Sequence, residues 1–533
     1  ELRTKYSTEP TKFMESETDL DESIKNLKLL SQAPQLYPVL IELNAPQSLL
    51  GLLVHENSDI VVSCLELLNE LIDEDLLSDP DNTLKPSELA QMESGINSLI
   101  KNLIENKFYK LLEQNLTTLD ETKEEERNGV YLILSIIESI GSIQLDYLEL
   151  ILAETNILEW ITNRVKFRNH IKDPLSNSFD QNAQYSSEVL AILLQDSNLN
   201  RIKFCGIGGV DTILRVLSQY KKRDPVDREE VEFMENLFNC LNSILQEKVG
   251  KSKFFTSDGI VLMLILLKSK KLSRIRSLET INFSTLNYSG AVNCIQLVKE
   301  GGLSPLFSAL MKKKLKQYKK LYPDFNEVKD EEHCVSILTN LLVNLKPDTL
   351  EWSRVIRKFF EMDMEKVDRV VEIFLFYMER MQLVEENIND TLDLEALGDD
   401  LITEEDRIYS QKLELGLFTL QMTSLILVNL CYFEQGLRDR VEYLLKRRNL
   451  SLATIDGVLK EYVEGLGTEE DEGLEDPEFE NLNYRVMEWM SCLQDDFVPP
   501  VSLLNGNDED DEEVGEGEGL LGEVEGKEDN EDN

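Results

Sequence analysis

The residues best suited to chemistry are few in this chain and widely spaced. Its 533 residues include three histidines, His55, His170 and His333, and seven cysteines, Cys64, Cys205, Cys240, Cys294, Cys334, Cys431 and Cys492. A metal cage or a histidine-based catalytic set needs several such groups converging on one point. The one adjacent pair, His333-Cys334, cannot easily hold a single ion between neighbouring residues. Gly250-Lys251-Ser252 resembles the end of a phosphate-binding loop, but Leu245 stands where the first glycine belongs, and a helical pattern rather than a strand precedes it. Carboxylates are too abundant for any pair to stand out. The sequence therefore predicts no catalytic residue, no metal and no cofactor, and hence a protein that is not an enzyme.

Amides are the more informative groups. Over 231–246 the apolar residues Leu237, Phe238, Leu241, Ile244 and Leu245 share one helical face, and Asn236, Asn239 and Asn242 make a polar stripe on the other. Asn340 and Asn344 repeat the theme four residues apart, and Asn429 sits inside Leu-Ile-Leu-Val-Asn-Leu. A ladder of asparagines can grip an extended peptide, because each amide offers both a donor and an acceptor to a backbone. The plainer reading is that these amides satisfy neighbouring backbone groups or face solvent. Trp160, Trp352 and Trp489 do not recur one turn before the asparagines, so a groove of the nuclear-import-adaptor type is not expected. A run of six lysines in nine positions, Lys312, Lys313, Lys314, Lys316, Lys319 and Lys320, reads as a solvated helix face beside its acidic continuation. A nuclear-targeting patch or an RNA contact is the sharper reading of the same run.

The elements that must carry these groups repeat. A small or turn-forming residue opens the same apolar frame at Ala45, Gly95, Asn156, Gly209, Gly259 and Gly302. Positions four and five after each opener are apolar (Leu49/Leu50, Leu99/Ile100, Trp160/Ile161, Ile213/Leu214, Met263/Leu264, Leu306/Phe307), as one helical stripe requires. Starts roughly 40–60 residues apart match the period of armadillo and HEAT arrays. A stripe of this kind is buried only by stacking on the next repeat. Second, more apolar helices are predicted over 60–73, 130–140, 187–195, 231–246, 334–345 and 417–433. Turns are expected at Asp79-Pro80, Asp173-Pro174, Asp224-Pro225 and Pro347-Asp348. The polar turns Asn200-Arg201-Ile-Lys-Phe204 and Gly250-Lys251-Ser-Lys-Phe254 have the look of an armadillo repeat leaving its third helix. Further helices are expected over 452–466 and 484–493, and no run alternates with period two, so no sheet is expected.

The fold class is thus an all-α, armadillo/HEAT-like helical repeat solenoid with a disordered acidic C-terminal tail. Residues 1–36 form a helical lead-in or cap, 37–497 the array with its terminal capping helices, and 498–533 the tail. An acidic loop is expected over 385–407. The longest apolar stretch, Ile260 to Leu267, is too short to span a bilayer, so no membrane is expected. Dispersed, odd-numbered cysteines in apolar runs, such as Cys240 in Leu-Phe-Asn-Cys-Leu, indicate a reducing compartment. A chain opening on Glu1 leaves room for an upstream address. The formal net charge of −46 argues against direct sequence-specific nucleic-acid binding and for basic peptide segments as ligands.

Several stretches carry more than a pattern. Lys12-Phe-Met-Glu-Ser-Glu, Leu40-Ile-Glu-Leu-Asn-Ala, Gln47-Ser-Leu-Leu-Gly-Leu-Leu, Ser187-Glu-Val-Leu-Ala-Ile-Leu-Leu-Gln-Asp, Met234-Glu-Asn-Leu-Phe, Glu332-His-Cys-Val-Ser-Ile-Leu and Leu415-Gly-Leu-Phe-Thr-Leu-Gln resemble the beta-catenin-like protein 1 family. The resemblance runs from Glu1 to about Phe497. It implies an armadillo protein of the nucleus that binds splicing-factor proteins, including the Myb-domain core subunit of the NineTeen complex, by recognising basic, nuclear-localisation-like segments. It brings no catalytic residues. A scaffold in pre-mRNA splicing is the reading that follows. A cargo adaptor or chaperone for basic nuclear proteins outside the spliceosome is its rival, and a homodimer stays open.

Overall fold

The computed structural model describes residues 5–6, 9–77, 85–166, 180–313, 315–323, 325–390, 404–465, 482–494 and 497. The acidic tail 498–533, His170, the turns at Asp79-Pro80 and Asp173-Pro174, and residues 391–403 of the expected acidic loop lie outside these. Every regular element among the described residues is a helix.

The helices come in threes. After α1 (Met14–Leu27), the repeats are α2 (Tyr37–Glu42), α3 (Ala45–Leu52) and α4 (Ser58–Leu71); α5 (Pro86–Glu105), α6 (Phe108–Thr118) and α7 (Glu124–Ile143); α8 (Leu145–Glu154), α9 (Ile157–Arg164) and α10 (Gln181–Gln195); and α11 (Asn198–Gly206), α12 (Gly209–Leu217) and α13 (Arg228–Ile244). They continue as α14 (Lys248–Thr256), α15 (Gly259–Lys268) and α16 (Ser273–Thr285), then α17 (Ala291–Lys299) and α18 (Leu303–Leu310), an inserted α19 (Leu315–Leu321), and α20 (Glu327–Asn344). The last part holds α21 (Leu350–Asp390), α22 (Glu404–Glu414), α23 (Leu417–Phe433), α24 (Gln435–Lys446), α25 (Ala453–Gly465) and α26 (Leu482–Met490). Within α21 the backbone breaks at Glu361, and Met362, Asp363 and Met364 take left-handed angles, so two helices meet there at a kink.

The third helices α4, α7, α10, α13, α16, α20 and α23 pack directly on one another in sequence order, with α1 on α4 at one end and α26 on α23 at the other. The second helices approach one another less closely than the third helices do. A stack whose members approach closest along one layer bends around that layer, so the third helices form the inner side. One continuous apolar core runs from Ile24 to Cys492 between the layers, as a repeat architecture requires.

The opener frame has a steric cause. The residue before it is left-handed in successive repeats: Gly208 (φ 78°), Asp258 (φ 56°) and Gly301 (φ 71°). The opener itself has no room for a side chain, since a Cβ on Gly209 would lie 2.2 Å from the Phe204 ring and one on Gly259 2.4 Å from Phe254. Phe204 and Phe254 are the aromatics of the two basic–aromatic segments expected as turns, which are instead helical and lie within the first helices α11 and α14. The frame at Gly95 is different, and the expectation there needs correcting. Gly95 lies in the middle of α5, where a Cβ would meet the Pro34 carbonyl oxygen at 2.0 Å. The second helix of that repeat begins instead at Phe108, behind left-handed Lys107.

Five of the six more apolar helices of the sequence analysis overlap third helices with shifted ends, and 417–433 coincides with α23. The third helix α16 gave no apolar signal because five of its seven buried positions carry hydroxyls, Ser273, Ser277, Thr280, Ser284 and Thr285, beside only Leu278 and Ile281. Three of the hydroxyls are satisfied locally, Ser277 donating to the Arg274 carbonyl and Ser284 and Thr285 to that of Ile281, while Thr280 donates across to Asn242 of α13. A helix can be buried on hydroxyls when each finds an acceptor, in its own backbone or on the helix beside it.

Candidate peptide-binding surface

The inner layer presents one stripe of each third helix to solvent. On α7 it comprises Glu124, Asn128, Tyr131, Ser135 and Glu138; on α10 Gln184, Glu188 and Ala191; on α13 Arg228, Glu232, Glu235, Asn236 and Asn239; on α16 Arg276, Glu279, Asn282 and Phe283. The spacing of three and four residues is that of one helical face. Glutamates dominate it: Glu124, Glu138, Glu188, Glu232, Glu235 and Glu279 stand against two guanidiniums. Both of those are paired within the stripe, Arg228 with Glu232 at 3.1 Å and Arg276 with Glu279 at 3.0 Å and Glu235 at 3.6 Å. A neutral amide ties the carboxylates of two helices, Gln184 of α10 donating to Glu188 at 3.2 Å and to Glu232 of α13 at 3.5 Å.

The predicted asparagines fall into two groups. Asn239 is exposed and Asn236 half-buried, its amide 3.4 Å from the Ser187 hydroxyl. Asn340 is half-buried, and its amide nitrogen is itself buried without a hydrogen-bond partner among the described residues. Asn242 and Asn344 point into the joints between repeats. The Asn242 side chain, 7% exposed, accepts from the Thr280 hydroxyl of α16 at 2.9 Å, so it does not join the outward stripe of Asn236 and Asn239. Asn242 lies six positions on from Asn236, and at about 100° per residue that leaves its side chain roughly 120° round the helix, against the neighbouring one. The Asn344 amide donates to the carbonyls of Thr285 at 2.9 Å and Asn287 at 3.0 Å, closing the end of α16. Asn429 is fully buried in α23.

Basic residues at the repeat joints serve the same end. Arg201 donates to the carbonyls of Leu194 and Gln195 at the end of α10 and to Glu247 of the next repeat. Lys251, 2% exposed, reaches the Leu286 carbonyl at 2.5 Å and the Ser289 hydroxyl at 3.2 Å, and burial pulls its ammonium down to about 8. The lysine run is partly spent on its acidic continuation. Lys312 pairs with Glu327 at 2.8 Å and Glu331 at 3.0 Å, and Lys319 with Glu327 at 3.7 Å. Its helix α19 is pinned to the earlier repeats by Tyr318 to the Lys271 carbonyl and Tyr322 to Asp224.

The remaining reactive types are built into the fold. All seven cysteines are buried, and burial pushes their thiols up, that of Cys64 to about 12. The Nδ1 of His55 accepts the Asn57 backbone N–H, and burial lowers the pKa of His333. Among the described residues no group of three or more His, Cys, Asp or Glu is placed to hold a metal, and no single helix is long and apolar enough to cross a membrane. Trp352 and Trp489 are buried in the core. Sequence reasoning missed the carboxylates of the inner stripe, because acidic residues abound everywhere. Only the phase of α7, α10 and α13 separates the inward-facing ones from the rest.

A family model described as catenin-beta-like, Arm-motif containing, nuclear, matches residues 1–460. Beta-catenin-like protein 1 of Rattus norvegicus is 37% identical over 470 residues, a match covering 88% of this chain and 79% of the rat protein. The human protein of that name is 36% identical over the same length. The beta-catenin-like protein 1 homolog of Schizosaccharomyces pombe is 34% identical over 507 residues, covering 95% of this chain and 81% of its own.

Proposed function

This chain belongs to the catenin-beta-like family of nuclear Arm-motif proteins, and from that premise we propose that it is a non-enzymatic scaffold of the spliceosome, recognising basic, nuclear-localisation-like segments of splicing factors. Its place of work is the nucleus, and its partners include the Myb-domain core subunit of the NineTeen complex. The observation that carries this reading is the charge of the inner stripe, where six glutamates from four successive third helices face two cations already paired with them. An extended basic segment laid across those helices meets a carboxylate on each. Asn239 and Asn236 are the amides that contact its backbone, the Asn340 amide nitrogen being buried, while Asn242 and Asn344 hold the helices at the spacing this requires. Surface pairs contribute only about 0–1 kcal/mol each, so affinity depends on several acting together.

Affinity purification of the chain from nuclear extract tests the proposal. Recovery of small nuclear RNAs and core splicing subunits is expected. Recovery of soluble import factors without them would make the chain a cargo adaptor for basic nuclear proteins instead.

A further inference from the structure

One point on the inner stripe is built differently from the rest. Tyr131 of α7 and Tyr185 of α10 stack with ring centroids 4.5 Å apart and 25° between their planes. Tyr185 lies beneath, 8% exposed, and its hydroxyl donates to Glu138, which fixes the ring. Tyr131 lies above it and stays half-exposed on the outward stripe. Glu138 follows Tyr131 by two turns of α7, and Glu188 follows Tyr185 by three residues on α10, where it accepts from a neutral amide, that of Gln184. Both carboxylates raise the pKa of the Tyr131 phenol, after burial, so their field reaches the ring.

We propose that the Tyr131–Tyr185 stack, with Glu138 and Glu188, seats an arginine side chain of the basic segment, a statement that rests on the peptide-binding reading above. A guanidinium is flat and weakly hydrated, so it lies on an aromatic face while its N–H fork meets carboxylates at the ring edge. A lysine ammonium is a compact, strongly hydrated charge and gains less from that surface. The stack thus selects arginine at one position of a segment whose other positions require only positive charge.

The test is a calorimetric titration with two synthetic peptides of the same basic sequence, one with arginines and one with every arginine replaced by lysine. They are measured against the parent, Tyr131→Ala and Tyr131→Phe, each checked for parental thermal unfolding. The arginine peptide is expected to bind the parent about tenfold more tightly than the lysine peptide. Tyr131→Ala is expected to erase that difference and Tyr131→Phe to keep it. Equal binding of both peptides by the parent, or an arginine preference that survives Tyr131→Ala, overturns the seat while leaving basic-peptide binding intact. Binding of neither peptide by the parent overturns the peptide-binding reading and the seat together.

Discussion

At the scale of single residues, the polar groups inside this array close helix ends. Lys251 is the most exposed to test through pH, because burial holds its ammonium near 8, below the ordinary 10.5. Between those values the folded chain has lost a proton that the unfolded chain keeps, so stability rises with pH through the window and is lowered at neutral pH by the cost of the buried charge. Parent stability relative to Lys251→Met should therefore rise between pH 8 and 10.5, by on the order of 3 kcal/mol. Denaturant unfolding of both proteins across that range measures it. The asparagines predict a second contrast. Asn344→Ala strands the carbonyls of Thr285 and Asn287 and should cost about 1–3 kcal/mol of stability. Asn239→Ala, at an exposed position, should change stability by less than about 0.5 kcal/mol and show its effect in peptide binding.

At the scale of elements, apolar periodicity located what is buried by carbon and missed what is buried by hydroxyls. The frames at Gly209, Gly259 and Gly302 were legible because an apolar side chain from the preceding helix occupies the space of their missing Cβ, which forces the residue type. The third helix α16 was not, since Ser277, Thr280 and Ser284 look like surface in a hydropathy pattern. Gly95 misled because close approach of a carbonyl at mid-helix demands the same residue as a helix start. Amide positions were legible as a set, but their division between solvent and joints depends on which neighbour each face meets, and that is a property of the stack. The packing itself predicts that Phe238→Ala, at a fully buried site of α13, costs about 3–5 kcal/mol. A melting curve matching the parent would contradict the placement of that face in the core.

At the scale of the whole molecule, a repeat array gains in reach what it lacks in a closed pocket. The inner layer sets carboxylates from successive helices side by side, and a net charge of −46 adds a long-range field to them. The net charge was plain in the sequence, whereas its concentration on an inward stripe needed the helix phases. The account's central claim is that this stripe binds a basic segment by charge. The direct measurement is the dissociation constant of one Lys/Arg-rich peptide at low and moderate salt, for the parent and for a Glu232→Gln/Glu235→Gln/Glu279→Gln variant. The account predicts binding that weakens steeply as salt rises and a variant that binds more weakly and with a shallower salt dependence. Affinity indifferent to salt, or unchanged in the triple variant, would contradict it.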